Sequence, residues 1–283
     1  MTTATAEELV VRSGVDANPA LLARATDYLV RARRARWIGF AGGVVLGFGP
    51  MAGEGGESLL VPRLLAGYLF GVLLSDLLTP TTTRGGVRAA SLHPRSAGDL
   101  VPRAALALPW LTLLPLLATP LLALGWHPHG VTRLNKASGD GVCSAYWPHT
   151  ATLFGIAGLA AISLVLLTLT LRRLSHRPQP AEDAASLRLD RVLRARSARA
   201  AIAAATALGL TLLNIVGESV YQGTNSYDCT RPMANSLTGN VYSWAGSVNP
   251  WLQNVSLLVL LLAIPAWMIC QRLPLPARTL SDA

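Results

Sequence analysis

Charge is scarce in this chain, and lysine nearly absent. Only 14% of the 283 residues are charged, where a soluble domain carries about 25%. That excludes an ordinary soluble fold. Lysine occurs once, at Lys136, against 23 arginines. No glycine-rich phosphate loop with its lysine exists, because Gly53-Glu-Gly-Gly has no basic neighbour to hold a phosphate. HExxH and GxSxG are also missing, so neither a zinc-protease helix nor a nucleophile elbow is expected. The chain is therefore read as neither an enzyme nor an ATPase, and no catalytic residue, cofactor or metal is assigned. With three cysteines there is material for at most one disulfide. The first 36 residues are polar and arginine-rich, unlike a signal peptide, so the first apolar stretch is expected to be a retained helix.

What is abundant is apolar: 51% of residues are hydrophobic and the mean hydropathy is +0.41. Six apolar stretches cover 37–51, 59–78, 104–124, 151–171, 200–216 and 251–270. A spanning helix needs about 20 such residues. The expected fold class is all-α, a polytopic transmembrane helical bundle of about six spans. The first and fifth stretches are short or rich in Gly and Ala, which makes five spans the competing count. The organisation follows as an N-terminal segment with an amphipathic helix (1–36), a six-span domain (37–271) and a tail (272–283).

The net charge of +9 invites a nucleic-acid reading, but its distribution argues for a bilayer. Six arginines precede the first stretch, four lie between the second and third, eight between the fourth and fifth, and two after the sixth. All fall on one side of an even-count topology. The other side holds Arg133, Lys136 and Arg231, and Arg63 lies inside the second stretch. This is the positive-inside asymmetry, which places both termini in the cytoplasm of a bacterial plasma membrane. Anionic headgroups suffice as the partner of these arginines, and no nucleic acid is expected. Trp126, Trp147, Trp244 and Trp251 flank the outer ends, and Trp37 and Trp267 the inner ends, where indole rings favour the headgroup level.

Cys143 and Cys229 fall in two outer loops and Cys270 at the inner end of the sixth stretch. Disulfides persist on the oxidising side of a membrane, so Cys143–Cys229 is the candidate bridge. His127, His129 and His149 share the outer loop with Cys143, but their spacing matches no closed zinc site.

Residues 1–17 are expected to lack structure. Asn18-Pro19 reads as a helix start, with Asn as cap and Pro at the first helical position. Leu22, Ala25, Leu29 and Ala32 then form an apolar stripe with arginines beside it, as in a helix lying on the inner membrane surface. Gly39, Gly43 and Gly47 recur four apart, as do Gly67 and Gly71, and each set is a candidate face for close helix packing, within one bundle or between two copies. Pro109, Pro115 and Pro120 predict a kinked or interrupted third span, a feature that lines binding sites in transporters. After Pro178 and Pro180 a helix is expected over 181–200, running into the fifth stretch. Arg63, Asn214 and Glu218 form a candidate outer-face polar cluster, with Glu54 and Glu57 as further partners for Arg63. The simpler reading has Arg63 snorkelling to headgroups and Asp76 ending its helix near water.

Arg88-Ala-Ala-Ser-Leu-His-Pro-Arg95, Asp99-Leu-Val-Pro-Arg103, Leu189-Asp-Arg-Val-Leu-Arg194 and Ser197-Ala-Arg199 carry a resemblance to uncharacterised six-span integral membrane proteins of high-GC Gram-positive bacteria. That resemblance implies no activity. In topology the chain also distantly resembles the permease subunits of type-2 ABC exporters, which implies a separate ATP-binding-cassette subunit meeting the first inner loop around Thr82 to Arg95. The long basic loop over 172–199 departs from that pattern. The leading expectation is a transporter or permease component. The alternative is a non-transport sensor, scaffold or regulator. The candidate partners are the lipid bilayer, the ATPase subunit and a second copy of the chain.

Overall fold

The computed structural model describes residues 2–12, 18–47, 59–78, 97–125, 150–177, 184–224 and 245–272. Among them the chain is all-α, without strands. The helices are α1 (Thr2–Arg12), α2 (Pro19–Gly47), α3 (Leu60–Leu77), α4 (Arg103–Leu113), α5 (Thr119–Gly125), α6 (Thr150–His176), α7 (Ala184–Thr224) and α8 (Ala245–Arg272). Among the described residues, four segments are long and apolar enough to cross a membrane: Leu60–Leu77, Arg103–Leu122, Ala151–His176 and Ala185–Tyr221. Asn254–Cys270 is a shorter apolar helix. The first apolar stretch contributes only residues 37–47 to α2, and its remainder lies outside the described residues.

Helix α7 is the axis of the bundle. It touches α1, α2, α3, α4, α6 and α8. Its apolar window is 67% buried, against 39%, 28% and 33% for the other three long segments. The reason is compositional. Ala200 to Ala205, interrupted only by Ile202, is buried on every side. Alanine favours a long uninterrupted helix and lets neighbours approach. At Gly209 an added Cβ would lie 2.6 Å from Thr112 Cβ on α4, and at Gly217 2.9 Å from Ser256 Cβ on α8. The outer helices turn the opposite face away from the bundle, as in α8, where Leu258, Leu261 and Ile264 are exposed.

The third span is interrupted, as its prolines predict. Helix α4 gives way to a 3-10 turn over Pro115–Ala118 before α5 begins. Pro120 has no N–H to offer the Leu116 carbonyl four residues back. That carbonyl instead accepts from the Thr119 N–H, and the Thr119 hydroxyl lies 2.8 Å away. The same hydroxyl is 3.1 Å from the Leu153 carbonyl, tying the turn to α6.

The N-terminal region differs from expectation. Thr2–Arg12 is helical rather than unstructured, because Ala6, Leu9 and Val10 form a stripe that has a partner. That partner is the apolar face of α2, with Leu21, Ala25, Tyr28 and Ala32 buried and Leu22 and Leu29 half-buried. The face packs against α1 and against Leu189 and Leu193 of α7. The Asn18 cap is present, its Oδ1 accepting from the Ala20 N–H at 3.1 Å. Helix α2 then runs through Arg36 and Trp37 without a break, and α7 runs without a break from Ala184 into the apolar core.

Candidate functional site

The α2–α3 seam shows why small residues are needed there. A Cβ at Gly43 would lie 2.6 Å from the Arg63 carbonyl oxygen, and one at Gly71 2.6 Å from that of Ala35. Gly39 and Gly67 face each other so closely that a Cβ on either would collide with the other's backbone region. The two glycine faces thus occupy each other within one chain. Gly47 is the last residue of α2.

Of Arg63, Asn214 and Glu218, Asn214 donates from Nδ2 to the Ser256 carbonyl at 2.8 Å, joining α7 to α8. Arg63 and Glu218 are half-buried on α3 and α7. Cys143, Cys229, His127, His129, His149, Glu54 and Glu57 lie outside the described residues, as does the whole loop from Thr82 to Arg95. Cys270 is a buried free thiol.

The most developed polar cluster lies at the other end, where the C-termini of α3 and α6 meet α7. Asp76 does not end its helix in water. Its side chain is 2% exposed and sits between Arg173 of α6 and Arg177 just past the end of that helix, with Arg177 Nη1 at 3.3 Å and Arg173 Nε at 3.6 Å. These arginines are one helical turn apart, so they share a face at the end of α6 and both reach α3. Behind them, Arg194 of α7 is 3% exposed. Its Nη1 donates to the carbonyls of Leu174 at 3.2 Å and Arg177 at 2.8 Å. The last carbonyls of a helix have no intrahelical donor, and a cation there also meets the negative end of the helix dipole. Asp190, one turn earlier on α7, balances the charge with Oδ2 at 2.6 Å from Arg194 Nη2.

A second set joins the same end. The Tyr28 hydroxyl donates to the Leu193 carbonyl at 3.1 Å or pairs with the Ser197 hydroxyl, linking α2 to α7. Arg36 lies over the Tyr68 ring at 5.7 Å, and Tyr68 meets Trp267 edge-on at 5.2 Å. Trp267 therefore packs against protein on one side, while Trp37 is largely exposed.

Beside the Asp76 pairs is a cleft of about 610 Å³ between α3 and α6. It is lined by the apolar Leu73, Leu77 and Leu169 and by the basic Arg172, Arg173, His176 and Arg177. Sequence reasoning assigned these arginines to headgroups and missed the pairing with Asp76. The available signals were the only acid in the 59–78 stretch and two i,i+4 patterns, Arg173/Arg177 and Asp190/Arg194. Chemically the arrangement locks helix ends and offers positive charge to an anion. Among the described residues, no group of three His, Cys, Asp or Glu is placed to hold a metal. Compared with known proteins, the chain matches no family model, no curated protein and no solved structure.

Proposed function

We propose that this chain is a six-span protein of a bacterial plasma membrane, with its basic end and both termini in the cytoplasm. In this reading it works as a non-transporting scaffold or regulator. The observation that carries it is the core of α7. From Ala200 to Leu208 only small and apolar side chains and Thr206 meet the neighbouring helices, and all are buried. Such packing supports a bundle sealed around this stretch of α7. Two helices also outrun the bilayer. At 1.5 Å per residue, the 29 residues of α2 reach about 44 Å and the 41 of α7 about 62 Å, against a hydrocarbon core of about 30 Å. Their projecting parts pack together with α1, so a load on this cytoplasmic platform passes into the membrane core along unbroken helices.

One observation favours the permease alternative, the interrupted third span at Pro115–Ala118. The glycine seam offers no support for a second copy, since both faces are occupied within the chain. The deciding experiment is recovery of the tagged full chain from its native host in mild detergent, with mass spectrometry of what accompanies it. The expected result is a stoichiometric partner that is not an ATPase and is lost on Leu193→Asp, which unseats the platform from α7. A stoichiometric ATP-binding-cassette subunit would overturn the scaffold reading in favour of the exporter permease.

A further inference from the structure

The cleft between α3 and α6 combines two chemistries at one membrane depth. Its lining includes the apolar Leu73, Leu77 and Leu169, and Leu77 and Leu169 are about half exposed, at 46% and 47%. The same lining carries the guanidinium groups of Arg172, Arg173 and Arg177 with the imidazole of His176. Among the described residues, the carboxylate beside this cleft is Asp76, engaged by Arg173 and Arg177. Three guanidinium groups against that carboxylate leave an excess of two positive charges before His176 is counted. Apolar residues alone would be ordinary lipid-facing surface, and basic residues alone an ordinary flank. Together, in a space within the usual 300–1,000 Å³ of ligand sites, they match an amphiphile with an anionic head.

We propose that this cleft is a binding site for one anionic phospholipid of the membrane leaflet at the basic end. The phosphodiester sits against Arg172 and Arg173, and an acyl chain lies along Leu77, Leu169 and Leu73. The proposal rests on the chain spanning a membrane and not on the scaffold role. Partner recovery can therefore fail while lipid binding stands, and the reverse.

The test is native mass spectrometry and lipid exchange on the full chain in neutral detergent, titrated with phosphatidylglycerol or phosphatidylcholine. One phosphatidylglycerol is expected to remain bound at concentrations where phosphatidylcholine does not. The double variant Arg172→Gln/Arg173→Gln is expected to weaken it about 30-fold, equivalent to about 2 kcal/mol for two charges at 1.4 kcal/mol per factor of ten. The charge-matched variant Arg33→Gln/Arg34→Gln, at two exposed positions of α2, is expected to leave binding unchanged. Because Arg173 touches Asp76, a second variant keeps every charge. Leu77→Trp fills the apolar part of the cleft and is expected to displace the lipid while the protein melts as the parent does. Equal loss in the α2 variant, or retention in both cleft variants, would overturn the site. Full competition by millimolar inorganic phosphate would replace the lipid with a free anion.

Discussion

Arg194 is expected to be the most costly single arginine to remove. Its guanidinium is almost fully buried and makes three contacts within hydrogen-bonding distance: the Leu174 and Arg177 carbonyls and the Asp190 carboxylate. Hydrogen bonds involving a charged group contribute about 1.5–3 kcal/mol each. Breaking a buried ion pair from one side costs about 3–5 kcal/mol, because the remaining charge is stranded. These figures describe overlapping losses and do not add. Arg194→Met, which keeps the alkyl volume, should therefore destabilise the bundle by about 3–5 kcal/mol. Adding Asp190→Asn removes the stranded charge and should return about 1–3 kcal/mol of that. Arg188→Met, at an exposed position on the same helix, should stay within about 0.5 kcal/mol. Reversible unfolding in mixed micelles with rising dodecyl sulfate fraction, followed by tryptophan emission, measures all four proteins. A single-variant loss below about 1 kcal/mol, or a double variant no better than the single, would refute the idea that Arg194 holds the α6 end through a desolvated pair.

Gly39→Ala should lose about 2–3 kcal/mol or fail to accumulate, because its Cβ would lie 2.7 Å from the Gly71 nitrogen and backbone cannot rotate away. Gly42→Ala, with nothing within 4 Å, should be neutral or stabilising by up to about 1 kcal/mol, and equal behaviour of the pair in the same assay would contradict the seam. Tyr28→Phe should cost about 1 kcal/mol and speed amide exchange in α1 and the first half of α2 while α6 is unchanged. Uniform acceleration would mean that the platform does not open separately. For Cys143 and Cys229, peptide mapping without reductant should find one linked pair, and two free thiols would remove the bridge.

The features legible in the sequence were those written in local spacing. Glycines four apart announced the close seam, although only coordinates pair Gly39 with Gly67. The prolines announced the break at Pro115–Ala118. Asn18-Pro19 announced the start of α2 to the residue. The error at α1 has a related cause. Ala6, Leu9 and Val10 make a stripe on a helix of 11 residues, too short to hold without a partner. That partner, the α2–α7 face, is long-range. The stripe of α2 was likewise recognised but assigned to lipid, since an apolar face does not declare whether lipid or protein will cover it.

Asp76 illustrates a deeper limit and a way past it. Its partners lie 97 and 101 positions away, and no local pattern links them. Yet topology narrows the choice. An acid one turn from the basic end of a span shares its depth with arginines that end or begin neighbouring spans. Holding a carboxylate in a nearly anhydrous helix end without a cation is costly, so the fold must either expose it or bring such an arginine to it. Exposure needs the helix end to stand clear of its neighbours. Here Asp76 and Ser75 are both buried where α3 packs against α6 and α7, although Leu77 beside them is half exposed, so at Asp76 pairing prevails. The arginines clustered between apolar stretches thus also supply the countercharge that locks α3 to α6. In a polytopic protein, a lone acid at the basic end of an apolar stretch is therefore better read as a helix-pairing residue than as a solvated terminus.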